Sequence, residues 1–147
     1  MRVSEGSIGR IFVIRLEDGD KLPDSLEEFA REKNLSSGLC LLLGGAGDGT
    51  LVTGPVDGEA KKIIPILHAL GEVHELAAVG TIFPDAQGAP RLHMHGSFGR
   101  GNTARVGCVR RGVDIWRLAE CVVVEILGTN MRRVVDPAFG FEVLSPE

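Results

Sequence analysis

The sequence predicts one α+β domain that is mostly antiparallel sheet, either an open twisted sheet or a partial barrel, with one or two packed helices. Most apolar runs are short, rich in β-branched residues and separated by clusters of Gly, Pro and Asp, which is typical of strands. One segment instead has apolar residues at helical spacing. The 147 residues suit one core, and no linker, repeat or low-complexity segment divides them, so residues 1–147 are treated as one domain.

The first half of the chain contains the predicted helix. Residues 9–16 are apolar and β-branched, which predicts a first strand. A proline at the first helical position, with acidic residues soon after it, predicts a helix over residues 23–34. The continuous apolar run 39–43 is typical of a central strand. Asp48-Gly49 predicts a hairpin turn into a strand over 50–53, since the nearby glycines lack the spacing of a nucleotide-binding loop.

The second half is predicted to be strands. The segment 61–70 is ambiguous, because Pro65 argues against both a long helix and a central strand. Runs 73–83 and 92–100 flank a dense turn signal and predict a hairpin. Further strands are predicted at 105–109, 121–127, 131–135 and 139–144.

Histidines mark the predicted hairpin. His93 and His95 are two residues apart, so their side chains share a face of a strand. His74 lies on the partner strand and joins them only if the hairpin register brings its ring to the same side. Three imidazoles from two strands would make a metal site with an open fourth position, and zinc is the metal we expect. The alternative is that these are ordinary strand histidines, as we expect for His68.

Charge and cysteine content restrict the partners and the compartment. The net charge of −4 gives no global attraction to nucleic acid or anionic lipid. Residues 110–117 are the most basic stretch and contain Trp116, the single tryptophan, which leaves open a weak DNA contact, a solvated loop or a subunit contact. No apolar stretch reaches membrane-spanning length, and no signal peptide is recognised, so no membrane partner is expected. Three cysteines without a metal-binding spacing indicate buried, reduced thiols in a cytoplasmic protein.

The chain resembles the plants-and-prokaryotes conserved (PPC) domain family. The resemblance runs from Gly9 to Leu127 and rests on the opening Gly-Arg-Ile-Phe-Val-Ile-Arg-Leu, the glycine-rich strand end and the block Leu-His-Met-His-Gly-Ser-Phe-Gly-Arg at 92–100. It implies the free-standing prokaryotic type, a homotrimer with a metal held by histidines in some members. The plant members carry a DNA-binding AT-hook, and its Arg-Gly-Arg-Pro core is not in this sequence.

One family block differs here, and it affects the expected ligands. Many members have Gly-Gly-His-Leu where this sequence has Arg-Gly-Val-Asp at 111–114. The resemblance then implies that His74 supplies the third ligand, or that Asp114 lies nearby.

Two functions remain open from the sequence. The first is a homotrimeric, metal-binding module that also contacts a ligand, a partner or DNA. The second is a zinc-dependent hydrolase or lyase acting on a small molecule, in which a metal-bound water is activated. Such an enzyme needs a general base, for which Glu72, Glu75 and Asp114 are the candidates. No nucleophile elbow, zinc-protease motif or activated cysteine is present, so the module is preferred.

Overall fold

Eleven strands and one short helix make up the described part of the chain. The computed structural model describes residues 1–110 and 112–146. The helix α1 covers Asp24–Glu32. The strands are β1 Ser7–Glu17, β2 Lys21–Leu22, β3 Gly38–Ala46, β4 Thr50–Pro55, β5 Pro65–Ala69, β6 His74–Pro84, β7 Pro90–Arg100, β8 Thr103–Val109, β9 Val113–Leu127, β10 Met131–Val135 and β11 Glu142–Pro146.

The strands form one large sheet and one small one. The large sheet has the order β1-β9-β3-β6-β7-β8-β4-β5, with β2 paired to β9, and every pairing is antiparallel. Three strands lie between β8 and β9, although only residues 110–112 join them in the chain. The sheet therefore curls strongly, but it does not close into a barrel. Strands β10 and β11 form a separate hairpin beside β6.

The core lies on the side of the sheet that α1 covers. Alternate residues of each strand point there, and fully buried examples are Cys40, Met94, Phe98 and Val123. The helix contributes Leu26 and Ala30 to the same cluster. The predicted α+β class, with a mostly antiparallel sheet and one helix, is confirmed. The helix is too short and too polar to cross a membrane, and no other helix occurs in the described residues.

The other face of the sheet is apolar and exposed. Side chains at alternating positions of β1, β3, β6 and β8 turn outward, namely Ile11, Val13, Leu41, Leu43, Val79 and Val106, with 49 to 81% of each exposed. The cross-strand pairs Val13–Val122 and Leu41–Val79 show that they share one surface. We call these six residues the apolar sheet face. Contiguous exposed apolar surface of this kind is unusual for a monomer.

The predicted hairpin between residues 73–83 and 92–100 is confirmed as β6 and β7. Its register runs from Glu75 opposite Gly99 to Pro84 opposite Pro90, without a bulge. Pro65 is the first residue of the edge strand β5. This position suits proline, because proline has no backbone N–H to donate to a neighbouring strand.

Two expectations about connections were wrong. Asp48-Gly49 is not a hairpin turn, because β3 pairs with β6 and β9 while β4 pairs with β5 and β8. The backbone of this segment instead bonds residue 114, with the Asp48 carbonyl accepting from the Asp114 N–H at 2.9 Å. Strand β9 also begins at Val113, earlier than the predicted residue 121, and includes Trp116.

An ion pair fastens the start of β1 to the end of β9. Arg10 donates to the Glu125 carboxylate from its backbone N–H at 2.9 Å and from its guanidinium at 2.8 and 2.6 Å. A Cβ on Gly9 would lie 2.6 Å from a Glu125 carboxylate oxygen, so a larger residue there would have to displace this side chain from Arg10. The Arg10 hydrogen bonds lower the pKa of Glu125 to about 2.

Candidate metal centre

Three potential metal ligands meet where β7 and β8 pair. His93 and His95 are two residues apart on β7 and turn away from the core, while Met94 between them is buried. Cys108 on β8 is directly opposite His95 in the antiparallel register. Residues directly opposite share a face of the sheet, so the thiol joins the two imidazoles.

The distances in this cluster suit a tetrahedral metal. The Nε2 atoms of His93 and His95 are 3.2 Å apart, with the two rings nearly perpendicular at 83°. One ligand atom from each of His93, His95 and Cys108 lies within 4.8 Å of the others. Zinc–nitrogen bonds of about 2.0–2.1 Å at a tetrahedral angle place two nitrogen ligands about 3.3 Å apart. The mixed nitrogen and sulfur donor set also suits zinc.

The electrostatics of the cluster favour a neutral imidazole. Burial lowers the pKa of His93, and the positive charges of Arg133 and Arg110 lower it further. Burial raises the pKa of Cys108, while the same two arginines oppose that shift. A neutral imidazole can bind a metal directly. The thiol has to lose its proton on binding, as thiols do when a metal ion coordinates them.

Within this chain, the structure does not bring His74 of the predicted three-histidine set to His93 and His95. Val79 is opposite His95, and His74 is five residues further along β6, about 16 Å away at the rise of a strand. Five is an odd number, so the ring also points to the opposite face of the sheet. It is buried there, and its Nδ1 is 2.7 Å from the Glu72 carbonyl oxygen.

The three predicted general bases also lie away from the cluster. Glu72 pairs with Arg100 at 2.8 Å, and Asp114 pairs with the Lys21 ammonium at 2.7 Å. Glu75 is exposed on β6, opposite Gly99. None of the three is among the described residues that line the cavity beside His93 and His95. The carboxylate that shares a cavity with the cluster belongs to Glu142 on β11, which the sequence reading did not identify.

The cluster opens into a cavity of about 630 Å³. Its floor is β7 and β8, and the turn between β10 and β11 forms one wall through Phe139 and Phe141. Residues of β4 and the following segment, and Arg110, also line the cavity. This volume is in the range of small-molecule sites in proteins.

Cys108 could have been identified from the sequence by its turn. Gly101-Asn102 is a two-residue hairpin signal between the runs 92–100 and 105–109. A two-residue loop pairs Arg100 with Thr103, and counting back along both strands places Cys108 opposite His95, as the structure has it. The sequence predicts three buried, reduced thiols, and all three cysteines are free and buried.

The described arginines of the basic stretch 110–117 lie in different surroundings. Arg110 lines the cavity, and Arg111 is outside the described residues. Arg117 has φ +65° and its guanidinium carbon is 5.7 Å from the Trp116 ring centroid, on β9.

A comparison with protein families matches residues 3–127 to the Plants and Prokaryotes Conserved (PCC) domain. Over 134 residues the chain is 31% identical to the bifunctional protein GlmU of Synechococcus sp. (strain JA-2-3B'a(2-13)). That alignment covers 90% of this chain and 19% of GlmU, so the chain spans about a fifth of that relative.

Solved structures share the fold. A metal-containing protein from Archaeoglobus fulgidus superposes with a TM-score of 0.85 at 23% identity, over 97% of this chain and 98% of that one. A plant- and prokaryote-conserved protein from Pyrococcus horikoshii gives 0.85 at 19% identity, over 100% and 99%. A protein from Ralstonia eutropha JMP134 described as a candidate DNA-binding protein gives 0.71 at 22%, over 92% and 90%.

Proposed function

This chain belongs to the Plants and Prokaryotes Conserved domain family, and from that premise we propose that it is a homotrimeric zinc-binding protein. The observation that carries the proposal is the cluster of His93, His95 and Cys108, with ligand atoms within 4.8 Å of one another beside an open cavity. His93 and His95 would bind through Nε2 and Cys108 through its thiolate. The metal-containing relative from Archaeoglobus fulgidus supports this choice.

Two features of the fold would hold the three ligands. The strand alternation of β7 directs both imidazoles to one side, and the β7–β8 register supplies the thiol. The cluster has three ligands among the described residues. A tetrahedral zinc ion would therefore have its fourth coordination position open to the cavity. Zinc in such a site supplies Lewis acidity and lowers the pKa of a bound water. The chain's own contribution is to fix the ligands and to shape the cavity.

The apolar sheet face supports the trimer. Its six side chains are between about half and four-fifths exposed in one chain, and a second copy could bury them. The face adjoins the cluster, since Val79 is opposite His95. The unpaired state of Cys40, Cys108 and Cys121 supports a reducing compartment, and we place the protein in the cytoplasm.

DNA contact is the weaker part of the proposal. The Ralstonia relative is described as a candidate DNA-binding protein, but this chain has a net charge of −4 and scattered arginines. We propose that any contact is weak or indirect and rests on phosphate attraction.

A zinc-dependent hydrolase or lyase is the second candidate, and Glu142 favours it. This carboxylate lines the same cavity as His93 and His95, so a general base is available without Glu72, Glu75 or Asp114. Its role would be to accept a proton from a nucleophile or substrate bound beside the cluster.

Metal content and mass test the main proposal together. Protein purified without chelator should contain, or take up, one zinc per chain by elemental analysis. Light scattering on a sizing column should give about three times the 15.7 kDa chain mass. If the protein takes up no zinc at neutral pH, the metal site is contradicted. If it is a monomer at micromolar concentration, the trimer is contradicted.

A further inference from the structure

We propose that the cavity beside the metal cluster binds a small organic anion, a carboxylate or phosphate ester with an apolar or aromatic body. The anionic group would lie between Arg133 and the open metal position, and the apolar body against Phe139 and Phe141. The inference rests on the proposed metal site and adds the chemical class of its ligand.

Arg133 is the residue that points to an anion. It is buried, with 6% of its surface exposed, and it lines the cavity from β10. Its Nη2 donates to the Thr81 hydroxyl at 2.9 Å, and its guanidinium carbon lies 5.8 Å from the Phe83 ring centroid. Its Nε has no hydrogen-bond partner among the residues that the structure describes. A buried charged donor left open is costly, and a ligand oxyanion would satisfy it.

The position of Arg133 places that donor near the cluster. Thr81, to which it is bonded, is directly opposite His93 in the β6–β7 pairing. The positive charge of Arg133 also acts to lower the pKa of both His93 and Cys108. A ligand oxygen that accepts from Arg133 would therefore be close to the atoms that would hold the metal.

The charges in the cavity wall favour an anion overall. Arg91 forms an ion pair with Asp85 at 3.0 Å, so it adds no net positive charge to the cavity. Arg110 and Arg133 then face one carboxylate, Glu142, among the described lining residues. The metal would add further positive charge. Arg133 is buried and Arg110 is exposed, and arginine is the usual partner of carboxylates and phosphates.

The apolar wall indicates that the ligand has more than a charged group. Phe139 and Phe141 stack with ring centroids 5.6 Å apart and an angle of 18° between the rings. Both line the cavity and both are about half exposed. Aromatic faces left exposed beside an anion site are suited to a flat or apolar ligand body.

Calorimetry on the zinc-loaded protein tests this with four probes: benzoate, phenyl phosphate, inorganic phosphate and benzyl alcohol. At least one aryl anion should bind one per chain and more tightly than benzyl alcohol, and the tighter of the two identifies the preferred anionic group. Arg133→Gln should weaken that binding about tenfold to a hundredfold, the range for a hydrogen bond to a charged group. Arg105→Gln, an exposed arginine on β8 outside the cavity, should not weaken it.

Two further variants keep the test decisive if Arg133→Gln does not fold by circular dichroism. Arg133→Lys retains the charge but lacks Nε and should also weaken binding. Phe139→Ala, on an exposed turn, should weaken the aryl anions and leave inorganic phosphate unchanged. The inference is overturned if benzyl alcohol binds as tightly as the aryl anions, or if the Arg133 variants bind the aryl anions as tightly as the wild type. Zinc uptake without anion binding overturns this inference alone, whereas failure to take up zinc also overturns the proposed function.

Discussion

Replacing Cys108 tests whether the metal ligands are the cluster seen in the structure or the three histidines predicted from the sequence. Cys108→Ala leaves His93 and His95, whose Nε2 atoms are 3.2 Å apart, as the only protein ligands of the cluster. Removing a residue that hydrogen-bonds to a metal ligand lowers metal affinity about 10–100-fold. Removing a ligand itself should therefore lower it by more than about 100-fold. The variant should remain folded, because a smaller apolar side chain replaces a thiol at the end of β8.

The matched control is His74→Gln, which removes the third histidine of the sequence-based set and keeps a polar side chain near the Glu72 carbonyl. It should bind zinc as tightly as the wild type, since His74 faces the other side of the sheet. Zinc affinity is measured by competition with a chromogenic chelator. Cobalt(II) gives a second readout, because a thiolate ligand produces a charge-transfer band that Cys108→Ala should abolish. Loss of zinc in His74→Gln with retention in Cys108→Ala would refute the reasoning.

Three other predictions follow from the fold and the charges. Leu41→Lys, at the centre of the apolar sheet face, should convert the trimer to monomers by light scattering, whereas Leu67→Lys on edge strand β5 should not. DNA binding measured by fluorescence anisotropy should be weak and fall steeply with salt, and sequence-specific submicromolar binding at physiological salt would contradict this. The Arg10–Glu125 pair should stabilise the folded state at neutral pH, through hydrogen bonds to a buried carboxylate. The folded pKa of Glu125, about 2, is below its unfolded value near 4.3, so this contribution is complete above about pH 4.3 and is lost as pH falls towards 2. Urea unfolding at pH 7 and pH 3 should show a smaller loss of stability on acidification for Glu125→Gln than for the wild type.

The sheet was largely predictable because strand signals are local. Alternation along β6 and β7 and the turn between them specified both strands and their pairing. The long-range order was not predictable, because nothing local indicates that β3 lies between β9 and β6 while β4 pairs with β5 and β8. The Asp48-Gly49 segment shows the cause: its turn chemistry is satisfied by backbone bonds to residue 114, far away in sequence.

The candidate metal site was predictable in part. The spacing of His93 and His95 alone places both rings on one face. The third ligand depends on register, and two hairpins offered candidates. His74 was chosen by residue type, although its odd offset from Val79 turns it to the core face. Arg133 and Glu142 could not be assigned, because the β10–β11 hairpin belongs to a separate sheet whose position only the packing determines.

The two-residue turn at Gly101-Asn102 has a consequence for how this chain can evolve. Surface loops usually tolerate insertions and deletions, since their length has little effect on the core. Here one added or deleted residue would have to be absorbed by a bulge, or every side chain of β8 would exchange faces. Cys108 would then leave His95, while the fold itself could survive. If the proposed metal site forms, it therefore restricts the length of this turn, and a relative with a longer or shorter turn and no compensating bulge should lack the thiol beside His95.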